Sequence, residues 1–344
     1  PEIDLDCEAD ATDLAPASHV RVPIPHDPVA GAILNAPPGA TLASLHHPTA
    51  VRPALKGDPL ALSQDELLAR GYPRRPNPTT SAYAGWLESV TKPVEVISAK
   101  PVTRDDGTRF NIHDSDGTGW SGWADINPVG SGDGYPLTIA AGFFNVPSLT
   151  NQGYSFAEGA IWVGLDGDGC GNGDVIQTGV ELEQEVIFGE YFAWPTLWVE
   201  YFPNSPQYYS TSVAFGDSMF AEVWYESGTG WFYLWDDTRS EVVYTSISTP
   251  SGHSFTGCSA EWVIERNTSA PLPDYGTAAM TSILAENSNG QFVYPYCTDS
   301  GGIYGFCPTV DWLFLLNSGG TKYLSTSSQS NYGTELSFYW DAGQ

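Results

Sequence analysis

The sequence predicts an all-β protein, an antiparallel β-sandwich preceded by a mostly extended N-terminal segment with short helices. Short runs with a two-residue apolar period recur from about residue 106 onward, separated by Gly, Ser, Asn and Asp turns. The composition points the same way, with 36 Gly, 26 Pro, 12 Trp, 18 Tyr and 15 Phe against only 2 Met, a mix that favours strands and turns over helices. Eleven of the 12 Trp follow residue 106, whereas the first sixty residues alternate Pro, Ala and Asp without sustained periodicity and read as an extended arm. The expected division is therefore 1–105 for the N-terminal segment and 106–344 for the sandwich.

Two short helices follow the arm. Ser63-Gln-Asp-Glu66 is a capping box that opens a helix through Leu67, Leu68 and Arg70, with Gly71 as the stop. Ser81 is expected to cap the second, which runs through Trp86, Leu87 and Val90 and ends at Pro93. Between them, Arg74-Arg75-Pro76-Asn77-Pro78 is a basic, proline-locked connection. Strands are then expected at residues 160–168, 174–181, 198–202, 218–225, 231–235, 241–247, 260–265, 291–296, 312–316 and 335–340.

Four of these strands have informative faces. Ile161, Val163 and Leu165 alternate with Trp162, Gly164 and Asp166, and Ile176, Thr178 and Val180 with Gln177, Gly179 and Glu181. Ala260, Trp262 and Ile264 oppose Glu261, Val263 and Glu265, while Trp198, Glu200 and Phe202 share one side. If the apolar faces turn inward, the others form a surface of Trp, Gln, Gly and carboxylates. Exposing several indoles together would leave a wide apolar patch, so this surface reads as a lined groove.

Charge is uneven. Residues 1–104 hold 9 Lys/Arg and 12 Asp/Glu; residues 105–344 hold 4 and 29, within a net charge of −28. At neutral pH the second part repels itself and relaxes as carboxylates protonate, which suits acid surroundings. Nucleic acid is excluded as a partner for want of a basic surface. No apolar run is long enough to span a bilayer, so no membrane partner is expected. The chain opens on Pro1 without an initiator Met, so any signal peptide is expected to be already removed or left out. Five cysteines fit an oxidising compartment, with one left over. Cys297 and Cys307 flank a Gly-rich turn and would staple a hairpin; Cys7 stays unpaired on this reading. No Cys-x-x-Cys occurs, which argues against structural zinc, and Asn267-Thr-Ser is a lone glycosylation sequon.

The run Trp-Val-Gly-Leu-Asp-Gly-Asp at 162–168, Gln-Thr-Gly at 177–179, Trp-Val-Glu-Tyr-Phe-Pro at 198–203 and Ala-Glu-Trp-Val-Ile-Glu at 260–265 resemble, in order, motifs of the glutamic peptidases, or eqolisins. These are secreted, acid-acting endopeptidases. The resemblance covers residues 115–270 well and the first hundred hardly at all. It implies a concanavalin-like sandwich of two large curved sheets with the groove on the concave one. It further implies that Glu265 is the general base that activates water and that Gln177 donates to the oxyanion. Trp120, Trp162 and Trp198 would wall the groove, Asp166 and Glu200 would complete its lining, and Gly179 would leave space for a substrate backbone. Glu181 stands where the family usually has Asp and would bear on how Gln177 is held. A Cys170–Cys258 bridge is implied as well. Four strand residues place Glu261 roughly 13 Å from Glu265, so it is read as a groove-lining or structural charge.

The expected partner is polypeptide in extended conformation, bound by a secreted monomer without cofactor. Asp166, Asp168 and Asp174 could feed oxygens to calcium, but position five of that loop is Cys170 and position twelve is Gln177, so the EF-hand pattern fails and no metal is expected. No His-Glu-x-x-His or Gly-x-Ser-x-Gly occurs. A second reading is a carbohydrate-binding or polysaccharide-cleaving protein, with Glu265 and Glu200 flanking the scissile bond if their strands are neighbours. The N-terminal segment is read as a propeptide and inhibitor whose Arg70, Arg74 and Arg75 face the acidic groove or its rim, making the chain a zymogen. The alternative is a permanently docked arm covering a sheet edge.

Overall fold

The computed structural model describes residues 51–97, 119–126, 135–171, 173–266, 270–293, 309–313, 315–317, 320–330 and 333–343. Cys7, Cys297, Cys307, the sequon and the expected boundary near 105 lie outside them. The N-terminal elements are β1 (Val51–Arg52), α1 (Gln64–Ala69), α2 (Ser81–Thr91) and β2 (Val94–Val96). There follow β3 (Trp120–Ile126), β4 (Leu137–Asn145), β5 (Phe156–Leu165), β6 (Val175–Ile187), β7 (Glu190–Phe202), β8 (Gln207–Tyr209), β9 (Ser218–Glu226), β10 (Thr229–Asp236) and β11 (Glu241–Ser248). The chain continues through β12 (Ser259–Arg266), β13 (Thr277–Asn287), β14 (Phe292–Val293), β15 (Thr309–Leu313), β16 (Leu315–Leu316), β17 (Tyr323–Ser330) and β18 (Glu335–Trp340).

These strands form the expected sandwich. An eleven-stranded sheet has the order β1-β2-β11-β10-β9-β4-β13-β18-β17-β16, with β14 beside β13, and a seven-stranded sheet the order β15-β3-β12-β5-β6-β7-β8. All pairings are antiparallel except β2 with β11. The core between the sheets takes the faces the alternation assigns inward: Ile161, Val163 and Leu165, Ile176 and Val180, and Ala260, Trp262 and Ile264. The eleven-stranded sheet answers with Phe144, Met219, Ala221, Val223, Phe232, Leu234 and Met280. Trp262 also donates its indole N–H to the Ala141 carbonyl across the core at 2.9 Å, satisfying the one polar atom that its burial would strand.

The central strands β4 and β13 escape the sequence reading. In β4, Leu137, Ala140 and Phe144 face the core while Ile139, Ala141 and Phe143 pack into a second apolar cluster on the other side. A strand covered on both faces has no polar alternation to reveal it.

That second cluster belongs to the N-terminal segment. Leu55, Leu67, Tyr72, Trp86, Val90 and Val94 bury against Phe220, Trp224, Tyr233, Trp235 and Val242 on the outer face of the eleven-stranded sheet. The capping box of α1 forms as expected: the Ser63 hydroxyl accepts from the Glu66 amide, and Glu66 accepts from the Ser63 amide. In α2 the cap is Thr80, without a side-chain bond, and Ser81 is the first helical residue. The position of the segment corrects one expectation. Burial raises the proton affinities of Glu222 and Glu286, and Arg74 lies close enough to offset part of that rise, while Arg75 donates to the carbonyls of Pro59 and Leu62. These arginines therefore serve the back of the molecule, because the aromatic face there draws α2 and its neighbours onto it. The segment also extends the sheet edge, with Glu95 and Ile97 donating to the carbonyls of Ser240 and Val242 at 2.8 Å each.

Candidate functional site

On the seven-stranded sheet, the face turned away from the core is ordered in cross-strand rows by the register. One row is Glu265, Ala160, Glu181 and Thr196; the next is Val263, Trp162, Gly179, Trp198 and Tyr208; the third is Glu261, Gly164, Gln177 and Glu200. Glu265 and Gln177 thus share a face, with β5 between their strands.

Trp162 bridges the rows. Its indole N–H donates to Glu265 Oε2 at 2.9 Å, while the far side of its ring lies 2.7 Å from where a Cβ on Gly164 would sit. Gly164 is the cross-strand neighbour of Gln177, so one indole reaches from the carboxyl group to the row of the carboxamide. Gly179 has the same cause: an added Cβ would lie 2.6 Å from Trp162 Cβ and collide with the Ile161 carbonyl. Its missing side chain makes room for Trp162, which corrects the expectation that it clears a path for substrate. Trp162 and Trp198 are fully buried and Trp120 is 4% exposed; Trp120 meets Trp162 edge-on at 4.9 Å. These indoles form a floor and not the expected walls.

Glu265 is buried, and this desolvation pushes its carboxyl up to about 8 against the pull of the Trp120 and Trp162 indoles, with Glu158 adding to the rise. Glu200 is likewise pushed well above the carboxylate range, first by burial and then by Glu265, while its bond to Gln177 acts in the opposite direction. Gln177 donates through Nε2 to Glu200 Oε2 at 2.7 Å. The residue that holds the glutamine is therefore Glu200 and not Glu181, whose Oε1 accepts from Tyr208 at 3.4 Å. The signal was in the sequence, since the Trp-x-Glu spacing puts Glu200 on the site face.

The end of the site is tied by carboxylates that act on backbone. Glu261 accepts from the amides of Gly167 and Asp168 at 3.0 Å each, and burial pushes it up to about 7. Asp166 accepts from the Thr256 hydroxyl at 2.8 Å and the Cys258 amide at 2.9 Å, so it joins two loops and does not line the groove. The Cys170–Cys258 disulfide, Cα–Cα 5.5 Å, fastens the same loops. Among the described residues, Asp166, Cys170 and Cys258 are the grouping with ligand atoms close enough for a metal, and the disulfide consumes two of the three. Glu158 and Tyr208, which also shape the site, were missed because each lies outside the four motifs.

The Peptidase A4 family model matches residues 118–300, more than half of the chain. The chain belongs to the Peptidase A4 family. These are the eqolisins that the four motifs resemble. Scytalidopepsin B of Scytalidium lignicola is 35% identical over 123 residues, 35% of this chain and 44% of that protein, so the match spans less than half of the curated relative. Two solved structures of scytalido-glutamic peptidase, one with a transition state analog inhibitor and one with a peptide-based transition state analog, align with a TM-score of 0.50 at 23% and 22% identity, covering 65% of this chain and 98% of theirs. At that identity they establish the eqolisin fold. The family model begins at residue 118, so the N-terminal layer on the back sheet lies outside it.

Proposed function

We propose that this eqolisin is an acid-acting endopeptidase, working outside the cell on polypeptide in extended conformation, with Glu265 and Gln177 at the reacting atoms and water as nucleophile. One observation carries the reading: Glu265 and Gln177 lie on a single buried face with Trp162 spanning the gap between their rows. A peptide carbonyl laid over that indole would be flanked by both. Ionised Glu265 takes a proton from the water as the water oxygen bonds to the carbonyl carbon. The carbonyl oxygen, gaining charge, accepts from the Gln177 amide; the C–N bond then breaks as Glu265 returns the proton to the leaving nitrogen. Because burial is the main cause of the raised Glu265 value, the water that enters as nucleophile also restores hydration and eases ionisation.

The zymogen reading takes a narrower form. Residues 51–97 stay with the sandwich as a structural layer, and a leader, where one is removed, is cut outside them. Support comes from their burial on the sheet opposite the site. The glycan-cleaving reading gains no such support. Two strands, β5 and β6, separate Glu265 from Glu200, and the buried indoles offer no stacking platform.

The test is release of peptides from a denatured protein at acid pH by the parent, Glu265→Gln and Gln177→Ala. Loss in both variants with unchanged near-UV circular dichroism supports the reading; equal release by all three removes it. N-terminal sequencing after acid incubation addresses the segment, and a fully active species beginning after residue 105 would refute its retention.

A further inference from the structure

Gln177 meets Glu200 through its nitrogen, and its oxygen is left over: Nε2 lies 2.7 Å from Glu200 Oε2, whereas Oε1 is buried without a hydrogen-bond partner. Both residues are at most 2% exposed, so solvent does not settle which end of the carboxamide points where. Half a turn about the last side-chain bond exchanges oxygen and nitrogen with almost no change in shape. The end that meets Glu200 thereby decides which end meets a substrate carbonyl.

The two forms of Glu200 ask for opposite ends. A carboxylate only accepts, so it draws the NH2 group to itself and turns the carboxamide oxygen toward the site. A neutral carboxyl has an O–H to donate, and Gln177 Oε1 is the acceptor within reach; the NH2 group then faces outward. For a developing oxyanion the first arrangement presents a second negative end, the second presents donors.

We propose that Glu200 is a positioning residue that arms the site by its protonation: neutral, it turns the Gln177 NH2 toward the substrate carbonyl; ionised, it captures that NH2 and disarms the site. This rests on the peptidase reading above. The surroundings favour the neutral form in acid. From β6 Glu200 faces Gln177 and, two rows on, Glu181; from β5 the uncharged Gly164 and Trp162; from β8 Tyr208; from β12 Glu261 and Glu265. Every charged group among these is acidic. Burial first, and the more distant Glu265 charge after it, raise the proton affinity of Glu200, so the neutral form of Glu200 is favoured while Glu265 is ionised. The armed form exists below the raised Glu200 value and is lost as pH rises through it, while the base form of Glu265 is lost as pH falls. Together they give a bell-shaped rate profile.

The test compares kcat/KM against pH for the parent and Glu200→Gln, whose amide can donate to Gln177 Oε1 at every pH and cannot ionise. The parent is expected to lose roughly 10²- to 10³-fold on the alkaline limb, the size of one oxyanion donor, and Glu200→Gln to carry its activity at least about one pH unit further. An alkaline limb that does not move, or a folded Glu200→Gln without activity in acid, overturns the proposal. The side-chain amide resonances of Gln177 in 15N-labelled protein give a readout independent of turnover. They should switch between two positions with pH in the parent and stay fixed in Glu200→Gln; matching behaviour in both proteins also overturns it. Absence of peptide release by the parent at every pH would fell the peptidase reading, while the resonances would still decide whether Glu200 turns Gln177.

Discussion

Each sheet of the sandwich buries carboxylates on the face turned away from the core, and the two faces provide for them differently. On the eleven-stranded sheet a cation is at hand: Arg74 offsets part of the rise that burial causes in Glu222 and Glu286, and at the rim Lys92 bridges the partly exposed Asp237 at 2.6 Å and the exposed Glu88 of α2 at 2.8 Å while lying over the Trp235 ring. On the seven-stranded sheet the partners are neutral donors, the Trp162 indole for Glu265, the Gln177 amide for Glu200 and two backbone amides for Glu261. A cation pulls a carboxylate toward its charged state, although burial still leaves Glu222 and Glu286 raised, and such a pull suits a joint between segments. Neutral donors leave the proton free to come and go, which suits chemistry.

The sharpest way to break this contrast is at Glu265. Glu265→Gln should lower peptide release by about two to four orders of magnitude with folding intact; a smaller loss would place the base elsewhere. On the opposite face, Trp86→Ala should cost about 3–5 kcal/mol of stability, read as a fall in the denaturant midpoint, while activity per folded molecule stays at the parent level. Gln177→Ala should cost about 3 kcal/mol of transition-state stabilisation, visible in kcat with little change in KM.

The pH dependence of stability sharpens the comparison further. Glu265 and Glu261 are raised from 4.5 to about 8 and about 7, so the folded state keeps protons that the unfolded chain releases. Their contribution is fully present below about pH 4.5 and is lost as pH rises through 7 to 8, at about 1.4 kcal/mol per carboxyl for each tenfold change in proton affinity. Calorimetric Tm should be higher near pH 4 than near pH 8, and the reverse order would contradict the burial of these groups. The smallest effect belongs to Lys92→Ala, about 1 kcal/mol or less, because the side chain is 40% exposed and solvent screens such pairs.

Much of this was legible in the chain. The two-residue alternation gave the inward and outward sides of β5, β6 and β12 correctly, and the capping box of α1 formed as read. What failed had physical causes. β4 lacks alternation because both of its faces are covered. Arg74 and Arg75 were assigned to the groove on charge alone, whereas an aromatic sheet face on the far side decides where their segment lies. Gly179 and Trp162 were read one residue at a time, and only cross-strand register shows that the first exists to seat the second.

The N-terminal layer also ends the eleven-stranded sheet in a particular way. Among the described residues, beyond β11 come the three residues of β2 and then the two of β1. A border that tapers to two residues offers a poor template on which another molecule's strand could grow. Molecules kept concentrated in acid, where their mutual repulsion fades, are thus guarded at that border against stacking sheet to sheet.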